Sequence, residues 1–445
     1  MAIPRARLHQ SLSDLLFAPL RALANRSSQE QLELQFINAF KERCEFNDHH
    51  ISLASSCRTS LYLLLKSLQL PEKSLIALTP LTIPDIVNSV ILAGHIPYLV
   101  ELDPETHNIA ASEIPKLSAL GVRVAVLAHL SGIFNQEIVG HIKEMKAQGI
   151  FVIEDISQAY GSRSQQDLAG QLGDAFIGSL CLGKVISALG GGIWGVKSSE
   201  LYSRTQKTSF DFHQNKLTPF NHVLKYYYQH LKVSIFTSPI VFNWLTIHLL
   251  KIASRARSTD EIFRSHKRGK SYPYDNPSIL RSHYPAQFFR RLRKVQILLA
   301  LKSLEHLKNA QHKRNRLGEI YLQSLSGHQQ LPKALCENNF NTLWHFPVRL
   351  GPVSYQQAQQ DLLAKNIDTC GYLLRNCNEL ACFQAYKREL PATQQITTHT
   401  IFLPIHESLS DCQARTCAQV FKDSLFEEAS TKPQVIEKER VHNKS

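Results

Sequence analysis

The chain has 445 residues, of which 43% are hydrophobic, and a formal net charge of +13. That hydrophobic share is ordinary for a globular protein, so a sizeable core can be buried, and the length allows one large domain plus a smaller one. The basic excess suits phosphate-bearing substrates or an anionic membrane surface, but aromatics are not interleaved with the charges as a stacking platform needs, so no nucleic-acid partner is expected.

The first thirty residues hold an amphipathic segment at 12–23. Asp14 and Arg21 interrupt its apolar run, so a signal peptide is not expected there. From 51 to 196 short apolar strands alternate with helical patterns. Strands are expected at 51–54, 75–79, 96–102, 122–128, 150–156, 176–181 and 192–196, and helices at 59–70, 83–94, 111–120 and 136–146. Strands that are apolar throughout and joined by crossover helices imply a mostly parallel sheet covered on both faces. From 210 to 284 aromatic and basic residues rise, and 233–253 is nearly all apolar. A long helical pattern follows from 288 to 325, and 343–426 reads as a small α+β domain. The stretch from 427 to 445 is polar, charged and expected to be disordered. The nine cysteines are scattered and odd in number, and the pairs Cys377/Cys382 and Cys412/Cys417 lack a usual zinc spacing. They read as reduced thiols of a cytoplasmic protein, with no metal site.

Ligands of such sheets sit at the carboxyl ends of the strands. The strand at 150–156 ends in Asp155, followed by Gln158, Tyr160 and Gly161. Alone, Asp155 reads equally well as a helix N-cap. It has company: Gly173-Asp174, then Ser179 with Lys184 in a Gly-bounded loop, then Gly190 to Gly192. Upstream, Ser55-Ser56-Cys57-Arg58-Thr59 lies between a strand and a helix, where free N–H groups favour a phosphate. An amine, a carboxylate and a phosphate cradle are what pyridoxal 5'-phosphate (PLP) requires.

With these motifs in hand, the sequence resembles the DegT/DnrJ/StrS family of PLP-dependent sugar aminotransferases over about residues 36–426, interrupted after Phe210. The stretch 152–161 is similar to the family's VIEDAAQAHG, 170–174 to GSLGD, and Ser179 stands five residues before Lys184 as the family's serine stands before its lysine. The resemblance implies PLP-dependent transferase fold type I, with a large α/β domain and a small C-terminal α+β domain. It implies that Lys184 is the Schiff-base lysine and proton shuttle, that Asp155 pairs with the pyridine nitrogen, that Gln158 lies near the phenolic oxygen, and that Ser179, Arg58 and Thr59 hold the phosphate. It implies an amino-acid donor such as glutamate, a keto-sugar acceptor, nucleotide-linked in the family's manner, and a homodimer, because family active sites lie between subunits. Departures are visible too. Cys57-Arg58 stands where the family has Gly-Thr, the stacking aromatic falls at Ile83, and an asparagine that reaches the neighbouring subunit falls at Phe289.

The expected organisation is an N-terminal arm at 1–30, a PLP-binding domain at 31–209, a basic aromatic and apolar helical insert at 210–285, a long helix with the small domain at 286–426, and the tail at 427–445. Between Lys207 and Lys270 stand eleven Lys and Arg against three Asp and Glu. The apolar run 233–253 has the length of a transmembrane span, but Pro239, Asn243 and His248 argue against one. Two readings stay open: a helical hairpin packed on the enzyme or its dimer partner, and an interfacial helix that gives peripheral contact with the inner face of the membrane through 233–270. Two rivals to the aminotransferase remain as well. One is a PLP-dependent sugar dehydratase, disfavoured because those usually carry histidine in place of Lys184. The other is a non-catalytic, membrane-associated member of the family.

Overall fold

The computed structural model describes residues 1–255, 259–260, 278–326, 331–351 and 353–425. The chain opens with α1 (Leu12–Ala24) and α2 (Gln29–Cys44). Ser28 starts α2 with a reciprocal cap, its hydroxyl accepting from Gln31 N–H and the Gln31 side chain accepting from Ser28 N–H. Next come β1 (His50–Ala54), α3 (Cys57–Ser67), β2 (Leu75–Leu78), β3 (Leu81–Thr82), α4 (Pro84–Leu92), β4 (Ile96–Leu99), α5 (Ile114–Ala119) and β5 (Val124–Ala128). The large domain is completed by α6 (Glu137–Ala147), β6 (Phe151–Asp155), β7 (Ala175–Ser179) and β8 (Gly192–Val196).

Seven strands form one sheet in the order β1-β8-β7-β6-β5-β2-β4. β8 runs antiparallel to both of its neighbours, and the other pairings are parallel. Residues of β2, β5, β6 and β7 are buried on both faces, which accounts for their unbroken apolar character. One face packs on a core that includes Phe36, Phe40, Phe46, Tyr160 and Phe176, and the other on Leu61, Leu64, Val87 and Trp194. This is the expected fold: a mostly parallel sheet between helices. The expected strand at 96–102 ends at Leu99, and Leu102 makes only an isolated bridge with Ile109.

Beyond the sheet lie α7 (Ser199–His213), α8 (Phe220–Phe236) and α9 (Pro239–Ala253), the last carrying a π-helical turn at Phe242–Thr246. The apolar run 233–253 is therefore not one helix. Pro239 has no N–H to continue α8, and the chain bends by 61° between α8 and α9. No single described helix is long and apolar enough to cross a membrane, although the bent pair together has the required composition. Of the basic run, Arg257, Arg264, Lys267, Arg268 and Lys270 lie outside the described residues, as does the tail from 427.

The long helix expected at 288–325 is two helices, α10 (Lys294–Glu305) and α11 (Leu307–Ser324), broken at His306. Its expected first turn is a short 3₁₀ turn at Ala286–Phe289, and Arg291 instead pairs its backbone with Leu217. The small domain packs β9 (Phe346–Arg349), α12 (Tyr355–Ala364), β10 (Arg375–Asn376), α13 (Pro391–His399), β11 (Thr400–Leu403) and α14 (Asp411–Leu425), with β9 antiparallel to β11. The chain's first residues reach this domain: Ile3 bridges Ile367, and the buried Arg5 pairs with Asp260 and donates to Asp368 at 2.6 and 2.9 Å.

Candidate active site

The parallel strands deliver their last residues to one edge of the sheet. Ala128 of β5 lies beside Asp155 of β6, which lies beside Ile177 of β7, two residues before Ser179. The first turn of α3 is laid against this edge. Ser56 bridges Gly191, and a Cβ on Gly192 would sit 2.3 Å from the Ser56 backbone carbon, so only glycine lets helix and strand approach this closely.

Asp155 divides its carboxylate. Oδ1 accepts the Ser157 N–H at 2.9 Å, the turn-capping role that the residue also suggested on its own. Oδ2 meets only the Cys57 thiol, at 4.0 Å, among the described residues. Cys57 is buried between Asp155 and Ser157, whose hydroxyl contacts its sulfur at 3.6 Å. Burial first and the Asp155 carboxylate second push that thiol far above its ordinary range, while the Lys184 ammonium pulls the other way.

Lys184 stands in the loop between β7 and β8, where Gly183 adopts φ +83°. Its ammonium lies 4.2 Å from the centre of the Trp344 ring, a cation–π distance. The Trp344 indole N–H donates to the Gly183 carbonyl at 2.8 Å, so the small domain side of the molecule holds the lysine loop. Next to Trp344, His345 is buried and its pKa is pushed down to about 3, by burial first and then by the nearby charges of Arg314, Arg5 and Lys184. Ser179 accepts the Cys181 N–H on its hydroxyl at 3.3 Å, and its carbonyl accepts the Tyr160 hydroxyl at 3.0 Å. Gln158 accepts the Ser131 N–H on its amide oxygen at 2.7 Å and lines a small cleft with Trp344, Tyr372 and Leu374.

The two residues expected at the phosphate from α3 are committed inside the fold. Arg58 is buried and pairs with Asp85 at 2.5 Å, and Arg281 grips the same carboxylate at 2.6 and 3.0 Å. The Thr59 hydroxyl donates to the Phe288 carbonyl at 2.8 Å, and the Ser55 hydroxyl reaches the same carbonyl. Phe289, where the family asparagine falls, stacks on Phe212 at 4.5 Å, and Ile83 caps α4.

The donor set fits PLP at three places: the amine of Lys184, the carboxylate oxygen of Asp155 that lacks a strong partner, and the Ser179 hydroxyl beside the α3 N-terminus. The residue patterns did not reveal Cys57 as the neighbour of Asp155, nor Trp344 as the neighbour of Lys184. Trp344 lies 161 positions from the glycine that it bonds, and no local signal ties the two.

A model of the DegT/DnrJ/EryC1/StrS aminotransferase family matches residues 23–220 and 259–422. Protein MosB of Rhizobium meliloti is 31% identical over 163 residues, 36% of this chain and 32% of MosB. GDP-perosamine synthase of Escherichia coli O157:H7 is 27% identical over 181 residues, 40% of this chain and 48% of that protein. The chain thus spans half or less of these two relatives. The dTDP-4-dehydro-2,3,6-trideoxy-D-glucose 4-aminotransferase of Saccharopolyspora spinosa is 20% identical over 389 residues, 87% of each chain. Among solved structures, the aminotransferase TlmJ from Streptoalloteichus hindustanus has a TM-score of 0.70 at 16% identity, covering 97% of this chain and 100% of its own. Helicobacter pylori PseC, an aminotransferase involved in the biosynthesis of pseudoaminic acid, has a TM-score of 0.69 at 16% identity, covering 96% and 99%. The two structures agree with this chain in fold.

Proposed function

The chain belongs to the DegT/DnrJ/EryC1/StrS aminotransferase family, and from that premise we propose that it is a PLP-dependent aminotransferase, working as a homodimer, that moves an amino group from an amino acid such as glutamate to a keto-sugar, nucleotide-linked, in cell-surface polysaccharide or secondary-metabolite biosynthesis. The observation that supports this reading is the arrangement at one sheet edge of the Asp155 carboxylate, whose Oδ2 meets only the Cys57 thiol among the described residues, and of the loop with Ser179 and Lys184 that follows the neighbouring strand β7.

When bound, PLP supplies an electron sink for the carbanion formed at the substrate carbon. Lys184 would hold it through Nζ and, once displaced by substrate, carry the proton to and from that carbon. Trp344 restrains the lysine through its ring face and its bond to Gly183. Asp155 would keep the ring nitrogen protonated with Oδ2, while the Ser157 N–H fixes the carboxylate plane through Oδ1. Gln158, oriented by Ser131, would face the phenolic oxygen. Ser179 and the first turn of α3 would take the phosphate; Arg58 and Thr59 would reach it only by giving up Asp85 and the Phe288 carbonyl.

A second reading is a family member that keeps the fold without turnover. The Phe288 carbonyl, set against the hydroxyls of Ser55 and Thr59, favours it. Visible absorbance decides between the two. Wild type incubated with PLP should show an absorption band that Lys184→Ala lacks and that glutamate bleaches. No band in wild type with excess PLP overturns both cofactor binding and turnover, and a band that glutamate leaves unchanged supports the inactive member.

A further inference from the structure

We propose that α8 and α9, with the outer face of α1, form a docking surface for an anionic lipid bilayer and lie in one leaflet of it. A helix on the surface of a protein in water turns its polar residues outward. Three helices here bury one apolar face and leave further large apolar residues outside. α8 buries Val223, Tyr226 and His230, and exposes Phe220, Leu224, Tyr228 and Ile235 at helical spacing. α9 buries Phe242, Ile247 and Leu250 and exposes Leu249, with Ile240 and Trp244 75% and 77% open to solvent. α1 packs Leu15 and Ala18 into the core shared with α8 and exposes Leu16, Leu20 and Leu23. Large apolar side chains left outside in this number mark an interaction site.

Charge identifies the occupant. Residues 212–255 contain Lys216, Lys225, Lys232, Lys251 and Arg255 and no Asp or Glu. A second copy seated on this face by twofold symmetry would set the same positive charges against each other. An anionic bilayer supplies the missing sign, and its headgroup layer suits exposed Trp244 and Tyr228.

Depth follows from the inner faces. α8 packs on Leu189 and Leu299 through Val223 and Tyr226, and α9 packs on Ala2 and Leu363 through Phe242, Ile247 and Leu250. Neither helix can leave the protein to span a membrane without losing these contacts, and the 61° bend presents Ile235, Phe236 and Ile240 at an apex. The pair is built to lie in the interface.

Flotation of the full-length protein tests this assignment, and its readout is separate from the PLP absorbance band. Wild type should float with vesicles of phosphatidylcholine and phosphatidylglycerol and stay behind with phosphatidylcholine alone, and added salt should release it. Ile240→Glu combined with Trp244→Glu should weaken vesicle binding at least about tenfold, because two large side chains no longer enter the leaflet. The milder pair Ile240→Ser and Trp244→Ser, for use should the first variant fail to fold, should weaken it in the same direction. Absence of wild-type flotation, or equal flotation of a folded variant, overturns the proposal. So does a variant whose lost flotation accompanies a halved molecular mass in sedimentation, because the face would then belong to a second copy.

Discussion

Glu154 is buried one position before Asp155, and because side chains alternate along a strand it points away from the candidate site while Asp155 points toward it. Its carboxylate accepts from His129 Nε2 at 2.8 Å, from Gly170 N–H at 2.9 Å and from Gly173 N–H at 2.6 Å. Burial works against the charge, but His129 and the two backbone donors hold the carboxyl below its ordinary range. Glu154→Ala would leave three buried donors without their acceptor, so a loss of about 3–5 kcal/mol is expected, read as a lower denaturant midpoint. A loss within about 0.5 kcal/mol would mean that the network carries no more than a surface site. At this scale the residues singled out Lys184, Asp155 and Ser179 as candidates because each was expected at or just after the end of a buried strand, and that is where the fold has them. Arg58 and Thr59 were legible as a helix start, but not their partners Asp85 and Phe288, which only the tertiary fold brings in. Cys57 lay in a quoted motif, yet its burial against Asp155 depends on a strand nearly a hundred positions away.

The contact between α3 and β8 sets where the candidate phosphate end lies. A methyl group on Gly192 would meet backbone atoms of Ser56 and Cys57 at 2.3 and 2.5 Å, and backbone cannot step aside as a flexible side chain can. Gly192→Ala should therefore cost about 1–3 kcal/mol or more and weaken PLP binding. Gly140, within α6, has nothing within 4 Å of the same position, so Gly140→Ala should instead stabilise by up to about 1 kcal/mol and leave the cofactor alone. Melting curves and PLP titrations of both variants check this, and equal behaviour would show that α3 does not depend on its seat against β8. Buried strands and the crossover helices between them were readable because their apolar runs are short and punctuated. The helix expected at 288 was misplaced because Phe288 and Leu292 keep helical spacing while the backbone at Arg291 pairs with the loop at 216–218. Composition also made 233–253 look continuous, whereas one proline divides it.

Among the described residues, several buried histidines are kept neutral. Burial lowers the pKa of His107 and His345 to about 3 and that of His230 and His406 to about 4, against an ordinary 6.5. The unfolded chain takes up these protons near 6.5 and the fold refuses them, so stability is full above that pH and falls below it. Each histidine should remove about 1.4 kcal/mol per pH unit until its folded value is reached. Denaturant midpoints measured from pH 7.5 down to 5 should drop steeply, and a flat profile would contradict the burial of these rings. One long-range contact has a consequence in time. Arg5 is separated from Asp368 by 363 positions. At the usual pace of ribosomal synthesis, about 5–20 residues per second, the amino-terminal arm waits roughly 20–70 s for its partner to be made. The seven-stranded sheet, whose last strand ends at Val196, is complete in sequence well before that partner exists, so its strands can pair while Arg5 still lacks Asp368.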